Sequence, residues 1–179
     1  NVTGADLIVH TAAVKADNPE MQAAATQDIM LIDRAEFLGA LMKNYTNAIG
    51  VAGTHGKTTT TSMLAHALIY TDTDPTISVG GELDLIGGNI RCGKSDMFVT
   101  EACEYTNSFL SFFPRISIIL NIEEDHLDFF KDIHDIRNSF HRFAKLLPND
   151  GYLIINSGIE NLGDITKDLS CKVITFGKD

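Results

Sequence analysis

Cysteine is scarce in this 179-residue chain, and Cys92, Cys103 and Cys171 form an odd set with no Cys-x-x-Cys pair and no regular spacing. A disulfide framework and a zinc knuckle are both excluded. Basic residues are few as well, 14 Lys and Arg against 24 Asp and Glu, giving a formal charge of −10. That balance argues against a surface that holds nucleic acid or anionic membrane through bulk charge. Long apolar runs are missing: stretches such as Ile116 to Ile122 are interrupted within a few residues, far short of the roughly 20 needed to cross a bilayer. Asn1 to Asp6 has neither the basic nor the apolar region of a signal peptide, so the expected location is cytoplasmic. The chain shows no internal repeat and no low-complexity tract.

What is present reads as a globular α/β chain. Short apolar runs at 6–10, 29–32, 48–52, 76–79, 97–100, 116–122, 152–155 and 172–176 predict strands, and helical patterns lie between them. Asn18-Pro19-Glu20 places Pro at the first helical position after an Asn cap, which opens a helix. Residues 34–43 and 58–70 are helical by composition. In 132–147 the residues Ile133, Ile136, Phe140, Phe143 and Leu147 recur at three- or four-residue steps, the pattern of an amphipathic helix lying on a core. Continuous apolar strands alternating with helices predict a mostly parallel sheet with helices on both faces. Gly80-Gly81 and Gly87-Gly88-Asn89 supply turn residues around 83–86 and 90–92, where a small antiparallel hairpin is expected.

The strongest chemical signal is Gly50-Val-Ala-Gly-Thr-His-Gly-Lys-Thr-Thr59. It follows a strand and opens a helix, the context of a phosphate loop. Gly53 and Gly56 let backbone N–H groups curl around phosphate oxygens, and the helix start adds its positive end. Lys57 would reach the terminal phosphates of ATP and the Thr58 hydroxyl would ligate Mg²⁺. The spacing departs from the common form, because Val51 stands five residues before Gly56. The bland alternative is a glycine turn ahead of a buried helix.

A phosphate loop needs an acid from a neighbouring strand end to complete a metal shell. The strand at 97–100 runs into Glu101, with Glu104 three residues on. Glu101 is the favoured ligand, and Glu104 the weaker candidate that could instead cap the next segment. The strand at 116–122 runs into Glu123-Glu124-Asp125-His126-Leu127-Asp128, and 123–135 holds six acids and one lysine. So acidic a stretch repels nucleotide phosphates unless cations intervene, which also points to Mg²⁺. His126, among acids at a strand end, is a candidate second metal ligand, the alternative being a simple surface ion pair. His134 and His141 read as rim residues of one helix, and Cys103, with no recognisable base beside it, as a small semi-buried residue.

Gly53-Thr-His-Gly-Lys-Thr-Thr59, Glu101-Ala-Cys-Glu-Tyr105 followed by Ser108-Phe-Leu, and Asn121-Ile-Glu-Glu-Asp-His-Leu-Asp128 resemble the motifs of the Mur ligase family, as do Ala16-Asp-Asn-Pro-Glu20 and Arg34-Ala-Glu36. The match covers nearly the whole chain, and is nearest to the family's alanine-adding branch. The resemblance implies ATP-dependent amide formation: the lactyl carboxylate of UDP-N-acetylmuramate takes the γ-phosphate to give an acyl phosphate, and the amine of L-alanine displaces phosphate. It assigns Lys57 to the γ-phosphate, Thr58 and Glu101 to a first Mg²⁺, His126 to a second, and Thr54 and Thr59 to the loop around them. It also places His55 and Asn121 near substrate, and Thr11 and Asn18 at the border of the UDP-sugar site. No protein partner is implied.

Relatives that add later amino acids carry a carbamylated lysine downstream of the metal histidine, where Phe140 and His141 stand here. The nearest rival is the ligase that attaches a preformed tripeptide to the same UDP-sugar. Outside the family, a P-loop switch or motor is the alternative, although no Asn-Lys-x-Asp motif occurs. Family members have three domains. By that measure residues 1–46 are the C-terminal part of the UDP-sugar-binding domain and 47–179 the first part of the central ATP-binding domain. The C-terminal ligase domain is absent, so the fragment alone is expected to be inactive.

Overall fold

The computed structural model describes residues 2–177. Two parallel strands, β1 (Leu7–His10) and β2 (Met30–Asp33), are joined through helix α1 (Pro19–Thr26). Asn18 caps α1, its side chain accepting from Glu20 N–H at 2.8 Å, and Pro19 fills the first turn, where an N–H has no partner within the helix. Asp33 ends β2 and caps α2 (Arg34–Met42) by accepting from Ala35 N–H at 2.7 Å. One acid thus turns strand directly into helix.

The main sheet has the order β5-β4-β6-β3-β7-β8-β9. Its strands are β3 (Asn47–Ala52), β4 (Thr76–Leu83), β5 (Gly88–Arg91), β6 (Met97–Glu101), β7 (Ile116–Ile119), β8 (Tyr152–Asn156) and β9 (Lys172–Phe176). All pairings are parallel except β4 with β5. The α/β class with a mostly parallel sheet is as the sequence pattern predicts. β3 lies at the centre with five of its six residues buried, which is why it reads as an unbroken apolar run rather than an alternation. Its neighbours end level with it, β6 at Glu101 opposite Val51 and β7 at Ile119 opposite Ala52, and lead directly into the acidic motifs.

Helix α3 (Lys57–Tyr70) follows β3, and α4 (Ile133–Ala144) and the short α5 (Leu162–Thr166) precede β8 and β9. On α4, Ile136, Phe140 and Phe143 are buried, as is Leu147 just beyond its end, as the periodicity predicts. The Phe109 ring stacks on Phe143 at 4.5 Å and meets Phe140 edge-on at 5.3 Å. These rings tie the loop after β6 to the face of α4 and form the middle of the core.

The expected hairpin is present, one strand is shorter than expected, and one loop takes a form the sequence does not announce. The antiparallel hairpin is formed by β4 itself, extended to Leu83, turning through the 3₁₀ segment Asp84–Ile86 into β5. The strand expected over 116–122 ends at Ile119, because Asn121 turns to bond the phosphate loop. The loop after β6 contains a kinked 3₁₀ segment, Tyr105–Ser111, in which Thr106 and Asn107 have φ of 55° and 58°, a conformation sequence pattern does not announce in residues other than glycine.

Candidate active site

The phosphate loop joins the central strand to α3. Gly53 has φ 145°, and a Cβ there would lie 3.0 Å from Leu120 and 3.2 Å from the Asn121 nitrogen. Gly56 has φ 83° and is the N-cap of α3, with no side-chain cap bond. Both positions demand glycine, one for close approach and one for the left-handed backbone. The N–H groups opening α3 are therefore left without a side-chain acceptor, as an anion site at a helix start requires.

The loop is held from the end of β7. Asn121 Oδ1 accepts from His55 N–H at 2.8 Å, and Asn121 Nδ2 donates to His55 O at 3.1 Å. Thr54 N–H donates to Asn121 O at 3.2 Å, while the buried Thr54 hydroxyl accepts from Glu123 N–H at 2.9 Å. The His55 ring is exposed, 3.7 Å from Glu123. Asn121 therefore shapes the loop, and its side chain is spent on His55 backbone.

Lys57 Nζ turns inward. It donates to Gly53 O at 2.6 Å and Thr54 O at 3.2 Å, and meets Glu104 at 3.0 and 3.2 Å. Glu104 is only 2% exposed. The cap role open to Glu104 in the sequence is not the one observed: it makes no side-chain cap bond to the following segment and pairs with the loop lysine.

Thr58 and Glu101 meet as a pair. The Thr58 hydroxyl donates to Glu101 Oε2 at 3.0 Å, and Gly80 N–H donates to Oε1 at 2.5 Å. Glu101 ends β6, opposite Val51 of β3, so the sheet register carries its carboxylate to the loop. An alcohol and a carboxylate are hard oxygen donors of the kind Mg²⁺ takes beside phosphates, so the residues fit the metal. Thr59 lies exposed in the first turn of α3. Gly80, which reads as a turn residue, is instead in β4 and orients Glu101. The available signal was a glycine inside a strand, which often marks close approach of another group.

His126 sits in the loop after β7, with φ 51°. Its ring lies 4.5 Å from that of Tyr105, centroid to centroid, and the Tyr105 hydroxyl donates to Asp128 at 2.8 Å. His126 Nε2 is 3.9 Å from Asp125. Tyr105 carries no metal-ligand signal and is missed by sequence reasoning, although it follows Glu104 directly. Among the described residues no group of three or more His, Cys, Asp and Glu is placed to hold a metal ion. Glu101, Glu104 and His126 thus do not converge on one ligand set; each has its own partner.

A cleft of about 460 Å³ runs from the β1–β2 unit to the loop, lined by Thr11, Arg34, Lys57, Gly80, Glu101 and Tyr105 among others. Asn18 is not in its lining and is occupied as the cap of α1. Cys103 faces the cleft, and burial pushes its thiol pKa up, the opposite of an activated nucleophile. His134 is exposed and His141 Nδ1 lies 3.0 Å from Ile165 O, both at the rim as expected. No described helix is long and apolar enough to cross a membrane.

A glycine-rich loop between the central strand and a helix, met by an acid from the adjacent strand, defines a phosphate-loop α/β protein. Residues 51–179 match the family model of the Mur ligase middle domain, and residues 1–46 that of the Mur ligase family catalytic domain. The chain belongs to the Mur ligase family. It is 58% identical over 177 residues to a UDP-N-acetylmuramate–L-alanine ligase of Clostridium botulinum, and 60% identical over 172 to that of Lachnoclostridium phytofermentans. These alignments cover 99% and 96% of the chain but 39% and 37% of those relatives. Among solved structures, UDP-N-acetylmuramate-alanine ligase from Thermotoga maritima superposes with TM-score 0.83 at 29% identity, covering 97% of the chain and 39% of that protein. The UDP-N-acetylmuramate:L-alanyl-gamma-D-glutamyl-meso-diaminopimelate ligase of Neisseria meningitides gives 0.86 at 29%, covering 96% and 58%.

Proposed function

We propose that this chain is the part of an ATP-dependent ligase that joins L-alanine to the lactyl carboxylate of UDP-N-acetylmuramate, in the synthesis of peptidoglycan precursors. The observation that carries it is one cleft with the phosphate-loop Lys57 and Glu101 at one end and Thr11 and Arg34 at the other. ATP and a UDP-sugar acid meet there. Alanine as the amino acid rests on the identity of about three residues in five to alanine-adding relatives. Residues 1–46 are the end of the UDP-sugar-binding domain and 47–179 the first part of the ATP-binding domain, a division supported by the two separate family matches.

The loop N–H groups and the opening of α3 bind nucleotide phosphates, with Gly53, Thr54, His55, Gly56 and Thr59 shaping the cradle. Lys57 draws negative charge from the transferring phosphoryl group as the carboxylate attacks, giving an acyl phosphate and ADP. Attack by the alanine amine then expels phosphate and leaves the amide. Thr58 and Glu101 would hold one Mg²⁺ and His126 a second, and bound metal supplies neutralisation of phosphate charge. Thr11 contacts the UDP-sugar from the far wall. A reaction that consumes ATP belongs in the cytoplasm, and that is the proposed location.

The test is phosphate release by the full-length enzyme with each substrate omitted in turn. Release that requires both UDP-N-acetylmuramate and L-alanine is expected; release indifferent to both would mean a phosphate-loop hydrolase of another function. The tripeptide-adding reading is kept because the Neisseria ligase superposes as well as the alanine ligase does. Product formation with the tripeptide but not with L-alanine would establish it.

A further inference from the structure

The phosphate-loop lysine has protein oxygens for all of its donors. An ammonium has three N–H donors, and Lys57 Nζ has four oxygens within 3.2 Å: Gly53 O, Thr54 O and both oxygens of Glu104. A phosphate oxygen that takes a hydrogen bond from Nζ must displace one of them. The two carbonyls belong to the loop and travel with it. Glu104 comes from the segment just after β6, is 2% exposed, and is the one of the two acids in this motif that faces Nζ; Glu101 is held by Thr58 and Gly80. Glu104 is also the single full charge among the four acceptors, so it competes most directly with phosphate for the lysine.

We propose that Glu104 is a positioning residue, the resident counter-ion of Lys57, and that its charge limits how tightly the loop holds nucleotide. Before nucleotide arrives it keeps the ammonium at the base of the loop, paired rather than buried alone. Once ATP binds, Lys57 exchanges Glu104 for phosphate oxygen. After transfer, Glu104 reclaims the lysine and favours departure of ADP. This inference rests on reading the loop as the nucleotide site.

The experiment is titration of the full-length enzyme with ADP in the presence of Mg²⁺, comparing wild type, Glu104→Gln and Glu104→Asp by calorimetry. Removing the charge while keeping the shape is expected to tighten ADP binding by about tenfold. Glu104→Asp, which keeps the charge, is expected to stay within about threefold of wild type. A merely structural glutamate would give the opposite sign, since loosening the loop weakens binding. Equal or weaker ADP binding by folded Glu104→Gln overturns the proposal, as does equal tightening by Glu104→Asp. Absence of saturable ADP binding in the wild type would instead overturn the nucleotide-site reading. Should Glu104→Gln fail to fold, the wild-type crystal structure with ADP decides: Nζ off both Glu104 oxygens supports the exchange, and Nζ still within 3.2 Å of both, as here, overturns it.

Discussion

Glu101 is held between two groups from different elements: the Thr58 hydroxyl at 3.0 Å and the Gly80 N–H at 2.5 Å. Its carboxylate is thereby oriented by protein groups alone. A Cβ on Gly80 would lie 2.9 Å from Oε2 and 3.1 Å from Oε1, inside normal contact, so the carboxylate must give way. Gly80→Ala in the full-length enzyme should raise the Mg²⁺ concentration for half-maximal activity and lower kcat by about tenfold to a hundredfold, as small misplacements of reacting groups do. Magnesium titrations of ADP formation check this. An unchanged Mg²⁺ requirement would show that Glu101 orientation does not depend on the Gly80 contact.

Asn121 spends both ends of its amide on the backbone of His55. Replacing it with Ala removes two bonds that fix the loop and leaves the lysine and the metal pair in place. The expected outcome is a KM for ATP raised by on the order of tenfold, with a smaller loss in kcat. Steady-state kinetics at saturating UDP-sugar and alanine separate the two. A large fall in kcat with unchanged KM would mean that Asn121 acts on the reaction and not on loop shape.

The periodic parts of the fold were legible and the irregular ones were not. Ile136, Phe140 and Phe143 announce α4 because its buried face repeats at helical spacing, and β3 announces itself as a continuous apolar run. The conformations of Gly53 and Gly56 and the meeting of Thr58 with Glu101 were legible because a loop that needs fixed residues leaves a local pattern. The Lys57–Glu104 pair spans 47 positions and the Tyr105–His126 ring contact 21, so neither leaves a local trace. Each depends on sheet register and on left-handed residues such as Thr106, Asn107 and His126.

Gly39 illustrates a contact invisible in the sequence. It lies in α2, where glycine is a poor helix former, yet a Cβ there would sit 2.0 Å from Ser111 O. Its absence lets α2 press against the segment carrying Phe109 and Phe112. Gly39→Ala should therefore lose more through overpacking than it gains in helix propensity, a net destabilisation of about 1–3 kcal/mol. Urea denaturation read by circular dichroism checks the sign, which propensity alone would give as stabilising.

Tyr105 links the site to pH. Its hydroxyl donates to Asp128 at 2.8 Å, and that hydrogen bond, followed by the nearby carboxylate charge, pushes the phenol pKa above its ordinary value. The folded state therefore holds the phenol proton more tightly than the unfolded chain does. By linkage, the stability contributed is fully present below the unfolded value of about 10 and is lost as pH rises through the higher folded value. Tyr105→Phe removes the titrating group, so the variant should be less stable than wild type below the unfolded value of about 10, and the gap should close as pH rises through the higher folded value. Urea midpoints of both proteins across this range test it, alongside phenolate absorbance, which should lose a component titrating above the ordinary phenol value in the variant. Because the group is solvent-exposed, water screens the effect and the gap is small; a gap that stays constant with pH would show that the phenol ring, tilted against His126, matters and the Asp128 bond does not.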